Sequence, residues 1–171
     1  MGVLRILSSQ ENAVLRSISV SLGVPRDSLY NLIYFESRFD PRARNAITGA
    51  RGLIQFMPKT ARAMGFSSAD ALVAQYPDVI SQLNGPVFQY LRDRAPFSGS
   101  EQDLYMSVFY PAARSWSPWR AFPDSVQRSN PGVITPGDYI RKVRFSVGLK
   151  YAPAAGVVLL VLVGVMYYLT K

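Results

Sequence analysis

ESRFDPRARNAITGARGLIQFMPKT, residues Glu36 to Thr60, joins the end of one helical pattern to the start of another. Upstream of it, Leu29, Leu32, Ile33 and Glu36 follow the i, i+3, i+4, i+7 spacing of a single helical face. Glu36 therefore points the way Leu32 does, toward a core or a cleft wall. A carboxyl held against apolar side chains loses hydration, and the ionised form loses most, so its pKa is expected to rise. A general acid needs such a setting to keep its proton near neutral pH. The spacing alone fits equally a solvated Glu fraying at a helix end.

Composition narrows the chemistry. The chain has 171 residues, which predicts one domain with room for a core. It contains neither Cys nor His. Cys nucleophiles, Ser-His-Asp triads, zinc proteases and thiolate metal sites are thereby excluded. Carboxylate acid/base work remains, and the only glutamates are Glu11, Glu36 and Glu101. The net charge of +8 suits polyanions in general. No nucleic-acid motif with interleaved aromatics and glycines stands out, so no specific nucleic-acid partner is expected.

The rest of the quoted stretch is more specific. E-S-R-F, then Pro41, Ala43 and Asn45, then T-G-A-R-G-L-I-Q-F-M-P-K-T-A resembles the signature of the lytic transglycosylases, soluble-type enzymes of the lysozyme superfamily. The similarity runs over roughly 26 consecutive positions, Glu36 to Ala61, with Ile54 where the family usually has Met. The resemblance implies that Glu36 is the catalytic acid/base, that Ser37 steadies its carboxylate or the substrate, and that Gln55 contacts the sugar near the scissile bond. It also implies peptidoglycan glycan strands as the substrate, cleaved at the β-1,4 bond between N-acetylmuramic acid and N-acetylglucosamine with a 1,6-anhydro product. No metal or cofactor is implied. A hydrolytic muramidase on the same fold is the alternative; it needs a second carboxylate, and Asp40 is the nearest in sequence. A non-catalytic structural virion membrane protein is a further alternative.

Outside that stretch, Ser8-x-x-Glu11 reads as a capping box opening a helix that runs to about Leu22 and stops at Gly23 and Pro25. Helices are further predicted from Pro25 to Ser37, from Pro58 to about Met64, after the Ser67-x-x-Asp70 cap, from Pro77 to Leu91 with a kink or split at Asn84-Gly85-Pro86, and from Ser100 to about Tyr110. Residues 114–136 read as loop, and a last helix starts at Pro136. Where the family usually has A-Y-N-A-G this chain has S-V-F-Y-P-A-A, a variant similar to bacteriophage members. Tyr110 there offers a hydroxyl or a stacking face to substrate, or serves as a core aromatic. Tyr139, in Y-I-R-K-V, resembles the family tyrosine that hydrogen-bonds at the catalytic Glu.

The tail changes character. Residues 151–170 carry no charge, and about 20 apolar residues suffice to cross a bilayer core. The expected architecture is thus mainly α: a lysozyme-like helical domain over 1–147 and a C-terminal transmembrane helix over 148–171, with lipid as a partner through 151–170. Arg141, Lys142, Arg144 and Lys150 before the span, against Lys171 after it, place the domain on the cytoplasmic side by the positive-inside rule. A cellular wall enzyme gains nothing from that topology. The expectation is therefore a single-pass phage protein of the virion membrane, or of the host envelope during infection, acting with virion proteins in genome entry.

Overall fold

In the computed structural model, residues 6–151 are described. The order of elements is α1 (Ser9–Leu22), α2 (Arg26–Ser37), α3 (Pro58–Ala63), α4 (Ala69–Gln75), α5 (Val79–Gln82), a π-type turn (Leu83–Val87), α6 (Phe88–Arg92), α7 (Glu101–Phe109), a single 3-10 turn (Pro111–Ala113), α8 (Asp124–Ser129) and α9 (Pro136–Tyr151). Helices packed on helices, with two isolated β-bridges among the described residues at Arg44–Arg51 and Arg51–Phe56, make a mainly helical domain consistent with the expected lysozyme-like fold.

Local chemistry explains most boundaries. Ser8 Oγ accepts from Glu11 N–H while the Glu11 carboxylate accepts from Ser8 N–H, so α1 opens on a reciprocal capping box. It closes at Gly23, whose φ of 66° lets the chain turn left-handed. α4 is capped by Ser68 rather than Ser67, and α5 starts at Val79 on an Asp78 cap rather than at Pro77. The expected break at Asn84-Gly85-Pro86 is present: Gly85 leaves helical geometry at φ −98°, ψ −107°. A side chain at Gly85 would collide with the Tyr76 ring. Residues 114–136 are not all loop, because α8 forms within them.

α2 is the central element. Its Leu29, Leu32 and Ile33 are fully buried. It packs on α1, α7 and α9. α9 answers with Tyr139, Val143 and Val147, buried at i, i+4, i+8 spacing.

The expected transmembrane helix, and with it the lipid partner and the single-pass location in a virion membrane or host envelope, is corrected. Among the described residues no helix is long and apolar enough to cross a membrane. α9, the last described helix, carries Asp138, Arg141, Lys142 and Arg144, and charges at that density do not suit a hydrocarbon core. The remainder of the expected span, residues 152–171, lies outside the described residues.

Candidate active site

Glu36 occupies the last turn of α2, one turn beyond the buried Leu32 and Ile33. Just past it the backbone turns left-handed twice, at Arg38 (φ 59°) and Phe39 (φ 58°), and a third such residue, Gln55 (φ 53°), lies across the loop. Each of these costs roughly 1 kcal/mol or more for a residue with a Cβ. Among the described residues these are all the non-glycine positions with positive φ, and all flank the same place.

The loop between α2 and α3 is held by buried polar contacts. Ser37 Oγ lies 2.9 Å from the Leu53 carbonyl and 3.2 Å from that of Ile33. Gln82, fully buried on α5, accepts from Leu53 N–H at 2.9 Å and donates to the carbonyls of Pro41 at 2.7 Å and Tyr76 at 2.9 Å. At Gly52 (φ 75°) an added Cβ would lie 2.6 Å from Gln82 Oε1, so glycine is required both for the turn and for this approach. Asn45 Oδ1 accepts from the N–H groups of Ile47 and Thr48 and shapes the outer turn.

Against this scaffold α9 brings Tyr139. Its hydroxyl donates to Glu36 Oε1 at 2.5 Å. The ring is stacked on Phe109 at 4.4 Å and meets Phe35 edge-on at 5.4 Å. Burial pushes the Glu36 pKa up to about 7 from an ordinary 4.5, although the Tyr139 hydrogen bond works the other way by favouring the ionised form. Burial and the adjacent Glu36 charge hold the Tyr139 hydroxyl well above its ordinary range, so it remains a donor.

Glu36 lines two adjoining cavities. One, of about 530 Å³, includes Asn45, Thr48, Gln55, Met57 and Asn130 in its wall. The other, of about 300 Å³, continues past Phe35, Phe109, Tyr139 and Lys142. Together they form a trough with an acid of near-neutral pKa in its wall. Among the described residues no Asp or Glu other than Glu36 lines either cavity. Asp40 is exposed and accepts from Arg42 N–H in the turn after α2.

The sequence-expected residues fall in three groups. Glu36, Gln55 and Tyr139 come together on the trough. Ser37 is next to Glu36 in the chain, but its hydroxyl is directed to backbone carbonyls. Tyr110 packs edge-on against Trp116 and Phe122 and lines a shallower depression with Ser125 and Val126. Sequence reasoning missed Phe109, Ser129 and Asn130 in the trough wall, and Gln82 beneath it. Asn130 precedes a Pro-Gly pair, which signals a turn and nothing about what the turn faces.

A family model described as the transglycosylase SLT domain matches residues 15–81, a segment that includes Glu36 and Gln55 and ends before Tyr139. No match was found among curated proteins or among solved structures.

Proposed function

We propose that this chain, whose residues 15–81 match the transglycosylase SLT domain, is a lytic transglycosylase of the lysozyme-like superfamily acting on peptidoglycan, with Glu36 as its single catalytic acid and base. Held protonated, Glu36 gives its proton to the glycosidic oxygen as the bond from C1 of the N-acetylmuramic acid breaks. The substrate's own acetamido group carries the developing positive charge. Glu36, now ionised, takes the proton of the muramic 6-hydroxyl as that oxygen bonds to C1. A 1,6-anhydro ring results, and Glu36 ends with the proton it began with.

The observation that carries this reading is the enclosed Glu36 carboxyl, with its pKa near 7 and a Tyr139 hydroxyl aimed at it. An acid poised near the working pH both donates and accepts efficiently. Tyr139 orients the carboxyl, and we assign sugar contact to Gln55, which lines the same cavity as Glu36. The absence of a second carboxylate among the described residues of the trough favours ring closure over the two-carboxylate hydrolysis route. We place the domain over residues 1–147.

Zymography of the full chain beside Glu36→Gln tests the assignment, with mass spectrometry of the released fragments. Clearing by the wild type alone, with anhydro ends, is expected. Equal clearing by both proteins would refute the role of Glu36, and reducing ends would refute the lyase outcome. The finer use of this chemistry, opening a wall for bacteriophage genome entry, is supported by the S-V-F-Y-P-A-A variant at the end of α7. A phage bearing Glu36→Gln that delivers its DNA as fast as its parent would refute that use.

A further inference from the structure

Beside the trough lies a larger recess of about 950 Å³, bounded by the end of α2, the turn at Gly132 and the outer face of α9. This is at the upper end of the usual size of a small-ligand site, about 300–1,000 Å³. Phe35 and Lys142 line both the recess and the cavity that holds Glu36, so the two spaces are contiguous. Its wall is largely apolar, with Phe35 and Phe145, and around it stand four cations, Arg38, Arg141, Lys142 and Arg144, with Asp138 as the opposing charge.

Two of these cations are committed. Arg141 pairs with Asp138, and Arg144 donates twice to Glu101, at 2.9 and 2.6 Å. The other two have no carboxylate partner among the described residues. The Arg38 guanidinium lies over the Tyr34 ring, 4.6 Å from its centre. Lys142 Nζ donates to the Pro131 carbonyl at 2.6 Å, which leaves two of its three N–H groups for another acceptor.

We propose that this recess is an anion subsite for the carboxylates of the peptide borne by the muramic acid, and that the protein prefers peptide-bearing glycan to bare glycan. The proposal rests on the glycan-cleaving reading of the adjacent trough. A sugar seated at Glu36 carries its peptide on the same molecule. The peptide's carboxylates then reach Arg38 and Lys142 at the high effective concentration of a tethered group. Bare glycan offers only the lactyl carboxylate that amidase leaves on each muramic acid, held against the sugar ring, whereas the peptide extends further carboxylates outward, and a guanidinium fork and an ammonium both suit carboxylate.

The test measures binding, so that it does not depend on turnover. Full-length Glu36→Gln protein is titrated calorimetrically with a soluble peptide-bearing glycan fragment, and with the same fragment after amidase has removed its peptides. Tighter binding of the peptide-bearing fragment by roughly three- to tenfold is expected from two solvent-accessible charge pairs, shrinking as salt is added. Adding Arg38→Gln and Lys142→Gln brings the ratio close to one; Arg38→Lys with Lys142→Arg keeps it, which separates charge from misfolding. A ratio of one before those changes, a ratio unmoved by them, or binding of neither fragment overturns the proposal. Phosphatidylglycerol vesicles binding through the same two cations, with no preference between fragments, overturns it in favour of a lipid surface. Zymography of the wild type reports on Glu36 separately.

Discussion

Replacing Glu36 by Gln should make the folded protein more stable, and the gain should depend on pH in one direction only. Burial raises the Glu36 pKa from an ordinary 4.5 to about 7. Below about 4.5 the carboxyl is protonated both folded and unfolded, and the shift contributes nothing. Between the two values the folded protein holds a proton that the unfolded chain releases, so stability falls as pH rises. Above about 7 the loss is complete. At about 1.4 kcal/mol per pH unit, the gap between 4.5 and 7 gives a ceiling of about 3 kcal/mol. Because the residue is only partly buried and opens onto the trough, solvent screening lowers this to roughly 1–3 kcal/mol. Gln cannot ionise, and its amide oxygen can still accept from Tyr139. Glu36→Gln should therefore melt together with the wild type at pH about 4, pull ahead near pH 6, and lead by a constant margin at pH about 8. At about 2–4 °C per kcal/mol for a domain of this size, that margin is roughly 2–12 °C. Thermal melts by circular dichroism across this range provide the assay. A margin independent of pH, or one that grows toward acid, would refute the argument that burial governs this carboxyl.

Tyr139→Phe removes the hydrogen bond that favours the ionised form of Glu36, so the Glu36 pKa should rise further. The alkaline limb of kcat/KM for wall clearing should move to higher pH while the maximum falls by about tenfold or more through lost orientation; a limb moving toward acid would contradict this. Gln82→Leu leaves Leu53 N–H and the carbonyls of Pro41 and Tyr76 without this partner. It should cost about 3 kcal/mol or more, at about 1–3 kcal/mol for each of these orphaned groups, read as a lower denaturant midpoint. A cost under about 1 kcal/mol would show that the loop does not depend on Gln82.

What was legible in the sequence follows from the range of the interactions involved. The Glu36 position was readable because a 3.6-residue period over Leu29, Leu32 and Ile33 fixes its direction within one helix. The cap at Ser8, the helix start at Ser100, whose side chain accepts from Asp103 N–H, and the break at Gly85 are equally local. Gln82 was not readable, since a polar residue on a short helix has no feature that announces burial until α5 is laid under the loop. Phe109 and Asn130 reach the trough from segments that meet α2 only in three dimensions. The tail was read by hydropathy alone, and among the described residues no helix supplies a membrane crossing.

Ser37 marks the limit of reading by resemblance: its place beside Glu36 was anticipated, yet its hydroxyl clamps the loop through the carbonyls of Leu53 and Ile33. The acid itself shows the same division. Its identity and direction are written within one helical turn, but its proton affinity depends on enclosure completed by α9, whose Tyr139 lies 103 residues further along the chain. A change on the buried face of α9 that loosens its packing, such as Val143→Ala, therefore acts on Glu36 at a distance. Readmitted water would favour the ionised carboxylate and draw its pKa back toward 4.5, taking away the proton before any catalytic atom has been altered.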